Sequence, residues 1–420
     1  MVKVHALATA LILAATGLAH PGEHHDAAKR RRDLNHSDLG ARNAEAVVAK
    51  CQGGHMAQTM AKRAALRRAM KAAELREKRD IEHTGMRAKR DQDALDQYLK
   101  TCHDRGDSVD WDKQTPHSTI FGGNATVGLA PETIIGPYWV GGEFIRSNLV
   151  EQQGGIPIHI DLQFVDSSTC APVPNMLVDV WHANATGVYS GVVAGAGLNS
   201  TFLRGVQLTD IEGVVNFDSV FPGHYFGRVN HIHVTSNRGA KLQDNGTYTG
   251  GKVNHIGQLY FDQELINAVE GMHPYTSNAM RLTYNSQDFL VAQEASRDYD
   301  PFFDYVMLSE DPADGLLLWA TIGINGTADQ SQFVSPGAWY YRDGGVDTSP
   351  KWNFSGPPPG GMPGGGMPSG MPTPTGPFSM PPGMPTGFPG GFPFPTGAPA
   401  DSKPFWGPCI NKKKRDVEGR

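Results

Sequence analysis

The chain has 420 residues, more than one ordinary domain requires, and a formal net charge of −6. A negative net charge provides no chain-wide basic field, so a nucleic-acid partner is not expected. After the N-terminus, no segment reaches the roughly 18 apolar residues that a membrane-spanning helix needs. We therefore expect no membrane span.

The N-terminus has the features of a secretory signal. Lys3 and His5 precede an apolar run from Ala6 to Leu18, which ends in small residues suited to cleavage. Residues 1–19 are therefore predicted to be a signal peptide, and the protein is expected to be secreted and extracellular. Residues 20–40 contain the basic run Lys29–Arg32, which fits either a pro-segment cut after basic residues or a solvated tail.

Sequons and cysteines agree with secretion. Asn-x-Ser/Thr sequons, typical of a secreted glycoprotein, lie at Asn35, Asn124, Asn184, Asn199, Asn245, Asn325 and Asn353. The four cysteines could form disulfides in an oxidising compartment, and they allow three pairings. We favour Cys51 with Cys102, because these two bracket a helix-rich segment. Cys170 and Cys409 would then pair with each other or stay free.

Residues 41–110 are predicted to form a helical N-terminal region. They are rich in Ala, Arg, Lys, Glu and Met and contain almost no proline. Gly53, Gly54 and Gly85 are expected to divide the region into two or three helices. The basic run from residue 62 to residue 90 could meet an anionic partner, but a solvated helix face is the favoured interpretation.

Residues 111–350 are predicted to be mainly β. Between residues 156 and 164, apolar residues alternate with mostly polar ones, as expected of a half-buried strand. Further strands are predicted at 177–181, 214–217, 231–234 and 316–322. Strands separated by Gly, Pro and Asn turns indicate a β-sandwich.

Residues 351–420 form a low-complexity segment of Pro, Gly, Met and Phe. Such a composition cannot build a core, so a disordered or polyproline-like tail is expected. The tail is a candidate for contact with a cell wall or matrix.

The stretch from Pro222 to His233 carries the most informative chemistry. His231 and His233 lie two residues apart on a predicted strand, so their imidazoles project from one face and can share a metal ion. Tyr225 adds a phenol, which ligates well only when a strongly Lewis-acidic metal takes its proton. This points to ferric iron rather than zinc.

A second motif runs from Trp181 to Ser190 and places Tyr189 after a glycine-bearing turn. Further segments follow at Phe202–Asp210 and Gly213–Phe217. In this order, the motifs resemble the intradiol ring-cleavage dioxygenases of the catechol and protocatechuate type, in the form of a secreted, fungal-like member. The resemblance covers about a third of the chain, from Gly136 to Phe261. It implies a β-sandwich catalytic domain.

The resemblance also implies a metal centre. Tyr189, Tyr225, His231 and His233 would be the ligands of a non-haem Fe(III). A catechol-type substrate would bind through both oxygens and displace Tyr225. Its ring would open with O2 between the two hydroxylated carbons to give a muconate-type diacid.

Two more catalytic residues follow from the same resemblance. Arg228, three residues before His231, matches the active-site arginine, which would stabilise charge in the transition state. Gln258 resembles a glutamine near the substrate. Tyr138 and Arg146 fall in a segment that lines the substrate pocket in relatives, although packing explains Tyr138 equally well.

This sequence departs from the family between Tyr225 and Arg228, where relatives commonly place several more residues and only Phe226 and Gly227 stand here. The shortening bears on substrate choice. Family members often dimerise through N-terminal helices, so residues 41–100 are a candidate homodimer contact.

Two other classes compete with this interpretation. A secreted wall- or matrix-associated binding protein could keep the sandwich with little or no turnover. A cupin-type His-x-His oxygenase is the third, and it lacks the expected Glu and the spacing of the second His.

Overall fold

The computed structural model of the protein describes residues 55–81, 98–99, 101–105, 120–121, 130–295, 299–309, 311–341 and 344–348. The predicted signal peptide, pro-segment and tail lie outside these residues, as do Cys51, Cys409 and Gly85. None of the helices that are described is long and apolar enough to cross a membrane. No described cysteine is free, and the pairing of Cys51 with Cys102 stays a prediction.

The described chain is mostly β-structure. The helices are α1 (His55–Lys78), α2 (Gln263–Glu270) and α3 (Phe289–Glu294). The strands are β1 (Val140–Gly141), β2 (Pro157–Asp166), β3 (Leu177–Trp181), β4 (Arg204–Leu208), β5 (Val214–Val220), β6 (His231–Arg238), β7 (Lys241–Leu242), β8 (Tyr248–Thr249), β9 (Lys252–Tyr260), β10 (Asp304–Met307), β11 (Leu316–Ile324), β12 (Ala338–Tyr341) and β13 (Gly344–Asp347).

Two four-stranded sheets form the framework. The first has the order β10-β11-β2-β5, and the second has the order β4-β3-β6-β9. In the first sheet β11 runs parallel to β2, whereas all pairs in the second are antiparallel. Smaller sheets join β1-β12-β13 and β7-β8. The predicted β-sandwich with a preceding helix is therefore confirmed.

One apolar core is shared by the two main sheets. Ile158, Ile160 and Leu162 of β2 belong to the same buried cluster as Ile232 and Val234 of β6. Each strand contributes its alternate residues, because successive side chains of a strand point to opposite faces. The opposite face of β6 is thereby left to its histidines.

The half-buried character predicted for β2 is wrong, because both of its faces are buried. Helix α1 covers the second face through Ala65, Ala69 and Ala72, which pack in one cluster with Leu317 and Trp319 of β11. The sequence pattern could not show this, because the covering helix is remote in the chain. The short alanine side chains let the helix approach closely.

The sequence favours a solvated helix face for the basic run, and this prediction is also wrong at two of its arginines. Nε of Arg67 lies 2.7 Å from Oδ2 of Asp161, and Nε of Arg68 lies 3.0 Å from Oδ1 of the same residue. Arg68 and Asp161 are almost fully buried. The arginines lower the pKa of Asp161 against the opposing effect of burial. These residues therefore fasten α1 to the first sheet.

Candidate active site

The face of β6 that points away from the shared core carries the His-x-His motif. Nε2 of His231 and Nε2 of His233 lie 3.2 Å apart. Oη of Tyr189 lies 3.3 Å from Nε2 of His231, and Oη of Tyr225 lies 3.5 Å from the same nitrogen. The four side chains proposed from the sequence as ligands are thus brought to one point, although they come from three segments of the chain.

The tyrosine-bearing loops meet at a glycine. Gly187 has φ +80°, and a Cβ at this position would lie 2.3 Å from the carbonyl oxygen of His224. Only glycine therefore permits both the left-handed conformation and the close approach of the two loops. The turn is also held by Asn184, whose Oδ1 accepts the backbone N–H of Val188 at 3.0 Å. Tyr189 and Tyr225 follow directly after these contacts.

The histidine rings are oriented by their surroundings. Nδ1 of His231 lies 2.5 Å from the carbonyl oxygen of Val229, which fixes Nδ1 as the protonated nitrogen. The lone pair of Nε2 then points at the two tyrosines. The ring of His233 stacks on the indole of Trp181, with centroids 4.6 Å apart and planes 5° from parallel. Trp181 pairs with His233 across β3 and β6.

Burial controls the protonation of the phenols. Desolvation raises the pKa of Tyr189 and Tyr225 above the ordinary value, and the guanidinium of Arg228 opposes this shift. Both phenols therefore keep their protons at neutral pH in the protein alone. A cation that takes up these oxygens as phenolates must be a strong Lewis acid.

The donor atoms also have suitable separations for a metal ion. Ligands about 2.0–2.1 Å from one ion, as imidazoles are from zinc, lie about 3.3–3.4 Å apart in tetrahedral geometry. The separations of 3.2–3.5 Å around Nε2 of His231 agree with this distance. Within the described ranges no group of three or more His, Cys, Asp and Glu is suited to a metal. A centre at these residues would thus depend on its two phenols.

Arg228 lies fully buried beside the tyrosines, with each of its guanidinium nitrogens directed to a different partner. Nη1 is 3.4 Å from Oη of Tyr225, Nη2 donates to Oε1 of Gln258 at 2.6 Å, and Nε donates to Oδ2 of Asp288 at 2.8 Å. Burial by itself would lower the pKa of Arg228, but the carboxylate of Asp288 raises this pKa by a larger amount. The net pKa is above the ordinary value, so the guanidinium stays charged.

The two pocket residues proposed from the resemblance have different outcomes. Tyr138 belongs to the site, since its ring stacks on Tyr189 with centroids 4.5 Å apart. Arg146 does not reach the site. Its Nη1 donates to Oε1 of Glu151 at 2.8 Å, and its Nε donates to the carbonyl oxygen of Arg204 at 2.9 Å. These bonds hold it to the loop before β2 and to β4.

Asp288 and Glu294, the residues that hold Arg228 and Gln258, were missed from the sequence. They lie at the two ends of α3, and their partners are 60 and 36 positions away. The only local signal was an aspartate before a short apolar run, which is typical of a helix N-cap. Arg204 was missed as well, and its guanidinium carbon lies 5.9 Å from the ring centroid of Tyr189.

Part of the chain matches a known protein family. Residues 134–270 match a family model described as Dioxygenase. The matched region contains all four converging side chains, Arg228 and Gln258.

One curated relative is a dioxygenase that acts on protocatechuate. Over 150 residues the chain is 33% identical to the protocatechuate 3,4-dioxygenase beta chain of Burkholderia cepacia. The similarity covers 33% of this chain, and the chain spans 60% of that relative's length. Over the matched region the chain is therefore similar to the intradiol ring-cleavage dioxygenases.

Solved structures that are similar to part of this chain include two dioxygenases. An intradiol ring-cleavage dioxygenase from Tetranychus urticae is 29% identical and has a TM-score of 0.42, over 48% of this chain and 97% of that chain. Catechol 1,2-dioxygenase from Acinetobacter sp. is 19% identical and has a TM-score of 0.31, over 49% of this chain and 64% of that chain.

Proposed function

We propose that the protein is a secreted, non-haem Fe(III) intradiol dioxygenase that opens the ring of a catechol-type aromatic with O2. The product would be a muconate-type diacid. The observation that carries this proposal is the convergence of two phenols and two imidazoles within 3.2–3.5 Å, beside a buried arginine. Secretion is supported by the signal-like N-terminus and by the sequons.

Tyr189, Tyr225, His231 and His233 would hold the ion. The chemistry that Fe(III) supplies when bound is Lewis-acid activation of a coordinated diol, which makes the ring reactive toward O2. Two phenolates would balance much of the ion's charge. The burial of all four side chains keeps bulk water from competing for the site.

Tyr225 would accept a proton from the substrate, and Arg228 would stabilise negative charge on it. If Tyr225 is held by the ion as a phenolate, its Oη could accept one hydroxyl proton from the entering diol and return to the neutral phenol that burial favours. Nη1 of Arg228, already 3.4 Å from that oxygen, would then face the anionic substrate oxygens. A preorganised cation of this kind stabilises charge that grows in the transition state.

The test is to measure iron, colour and turnover together. The purified protein should contain about one ferric ion per chain, absorb in the visible through phenolate-to-iron charge transfer, and consume O2 when given a catechol. Tyr189→Phe, His231→Ala and His233→Ala should each lose most of the metal. His159→Ala is the matched control, because this buried histidine contacts Asp218 away from the site and should leave the metal in place.

Arg228→Ala should keep the ion and its colour, while turnover falls about 10²–10³-fold, the scale for one lost preorganised charge stabiliser. A colourless wild type that stays inert toward every catechol after iron loading would refute the enzyme. The alternative of a wall- or matrix-associated binding protein would then remain. Simple and substituted catechols should be screened in parallel, because the substrate is part of the proposal.

A further inference from the structure

Helix α3 lies beyond residue 270, where the family match ends, and yet both of its ends reach the active site. The residue before it is Asp288, and its last residue is Glu294. Both side chains are about 2% exposed or less. A buried carboxylate is costly unless it is fully paired, so two of them at the ends of one short helix require an explanation.

Asp288 uses its two oxygens for different purposes. Oδ1 accepts the backbone N–H of Leu290 at 3.0 Å, which caps the helix. Oδ2 accepts Nε of Arg228 at 2.8 Å and the backbone N–H of Val229 at 3.0 Å. One carboxylate therefore begins the helix and holds both the side chain of Arg228 and the backbone that follows it.

Glu294 completes the arrangement from the other end. Its Oε2 accepts the backbone N–H of Gln258 at 2.9 Å, and its Oε1 accepts Oη of Tyr260 at 3.2 Å. Because Gln258 in turn accepts Nη2 of Arg228, the hydrogen bonds form a closed ring through α3. Desolvation raises the pKa of Glu294 to about 8, so at neutral pH it can keep a proton within this ring.

The ring leaves Arg228 no freedom of orientation. Two of its three nitrogens are occupied by Asp288 and Gln258, and Nη1 alone is directed at Oη of Tyr225. An unheld arginine would sample many rotamers, most of which carry its charge away from the reacting oxygens.

We infer that Asp288 is a positioning residue for the ring-opening reaction and that α3 acts as a clamp which aims Nη1 of Arg228 at the substrate oxygens. The inference rests on the proposed function. It adds a part of this chain that lies outside the region matched by the family.

A double-mutant cycle on Asp288 and Arg228 tests it. Asp288→Asn keeps a helix cap but removes the charge that holds Nε, so kcat should fall about 10–100-fold with the iron content and colour unchanged. In the Arg228→Ala background the same substitution should change kcat less than twofold, because a residue that acts only through Arg228 has nothing left to position. An equal loss in both backgrounds would overturn the inference.

Rescue by guanidinium ion distinguishes a positioning role of Asp288 from a merely structural one. Added guanidinium should bind in the space left by Arg228→Ala, opposite Asp288, and restore part of the turnover. Guanidinium should not restore turnover in the double variant that carries both Arg228→Ala and Asp288→Asn. Equal rescue of both proteins would contradict the clamp. Anaerobic titration with catechol, followed by the shift of the visible band, should show weaker binding in Asp288→Asn than in wild type.

The controls separate the possible failures. Asp311→Asn removes the charge of another capping aspartate, whose Oδ1 accepts the N–H of Ala313 at 2.9 Å, and should behave as wild type. If Asp288→Asn does not fold, Asp288→Glu keeps the charge and moves it by one methylene. Its kcat should fall with the metal retained, and wild-type turnover would refute the inference. An inert wild type refutes the proposed function, whereas an active wild type with an equally active Asp288→Asn refutes the clamp alone.

Discussion

Substituting Gly187 by alanine should damage the site far more than the same change at Gly197. Both glycines have φ in the left-handed region, +80° and +92°. An alanine there costs about 1–2 kcal/mol in backbone conformation alone. At Gly197 a Cβ would meet nothing within 4 Å, so only this cost applies.

At Gly187 the new Cβ would lie 2.3 Å from the carbonyl oxygen of His224, about 1 Å closer than ordinary contact permits. That oxygen cannot simply retreat, because it accepts Nδ2 of Asn278 at 2.7 Å. Overpacking of this kind adds about 1–3 kcal/mol. The total expected loss in Gly187→Ala is therefore about 2–5 kcal/mol, against about 1–2 kcal/mol in Gly197→Ala.

Urea denaturation of the two metal-free variants measures the difference directly. The displaced loop carries Tyr225, so Gly187→Ala should also bind ferric iron at least tenfold more weakly, whereas Gly197→Ala should bind it as wild type does. If Gly187→Ala were no less stable than Gly197→Ala, the close approach of the two tyrosine loops would be wrong. Unchanged iron binding in Gly187→Ala would show that the approach does not set the ligand positions.

Three further predictions concern other parts of the molecule. Asp161→Asn leaves the buried Arg68 without its counter-ion, so urea denaturation should show a free energy of unfolding about 3–5 kcal/mol lower than in wild type. A loss below about 1 kcal/mol would contradict the conclusion that this ion pair holds α1 against the sheet. Glu143 is buried, which raises its pKa from 4.5 to about 7, so its ionisation should destabilise the folded protein as pH rises through that range. Glu143→Gln should therefore gain up to about 3 kcal/mol relative to wild type between pH 5 and pH 8, and a pH-independent difference would refute this. In protein expressed through a secretory pathway, glycopeptide mass spectrometry should find Asn184 largely without glycan and Asn245 glycosylated. The reason is that Nδ2 of Asn184 already donates to Gln153, whereas Asn245 is exposed. Full glycosylation at Asn184 would contradict its role in the turn.

Parts of the structure that depend on local sequence could be predicted. The His-x-His alternation determines which face of β6 the histidines occupy, and the glycine before Tyr189 indicates its turn. The strand at Leu177–Trp181 was predicted with the bounds it has. In each case the residues that decide the structure are neighbours in the chain.

Contacts between remote segments could not be predicted in the same way. The alternation in β2 indicates one buried face, and nothing within that strand shows that α1 covers the other. The partners of Arg228 and Gln258 lie on α3, whose sequence has no motif that connects it with them. The resemblance assigned Arg146 to the pocket because of its position in the sequence. Its side chain is instead hydrogen-bonded to its own loop and to β4.

The alternation of β6 has a consequence for how the centre is assembled. Ile232 and Val234 are locked into the sandwich core, so the strand cannot slip by one residue without exposing them and withdrawing both histidines. Forming the core thus sets the relative positions of the two imidazoles and of the phenol of Tyr189 in the protein alone, and these would be the positions offered to an ion in the proposed centre. If the chain holds an ion as proposed, that ion would enter after folding at little further entropic cost, and the folded chain would release and regain it without unfolding.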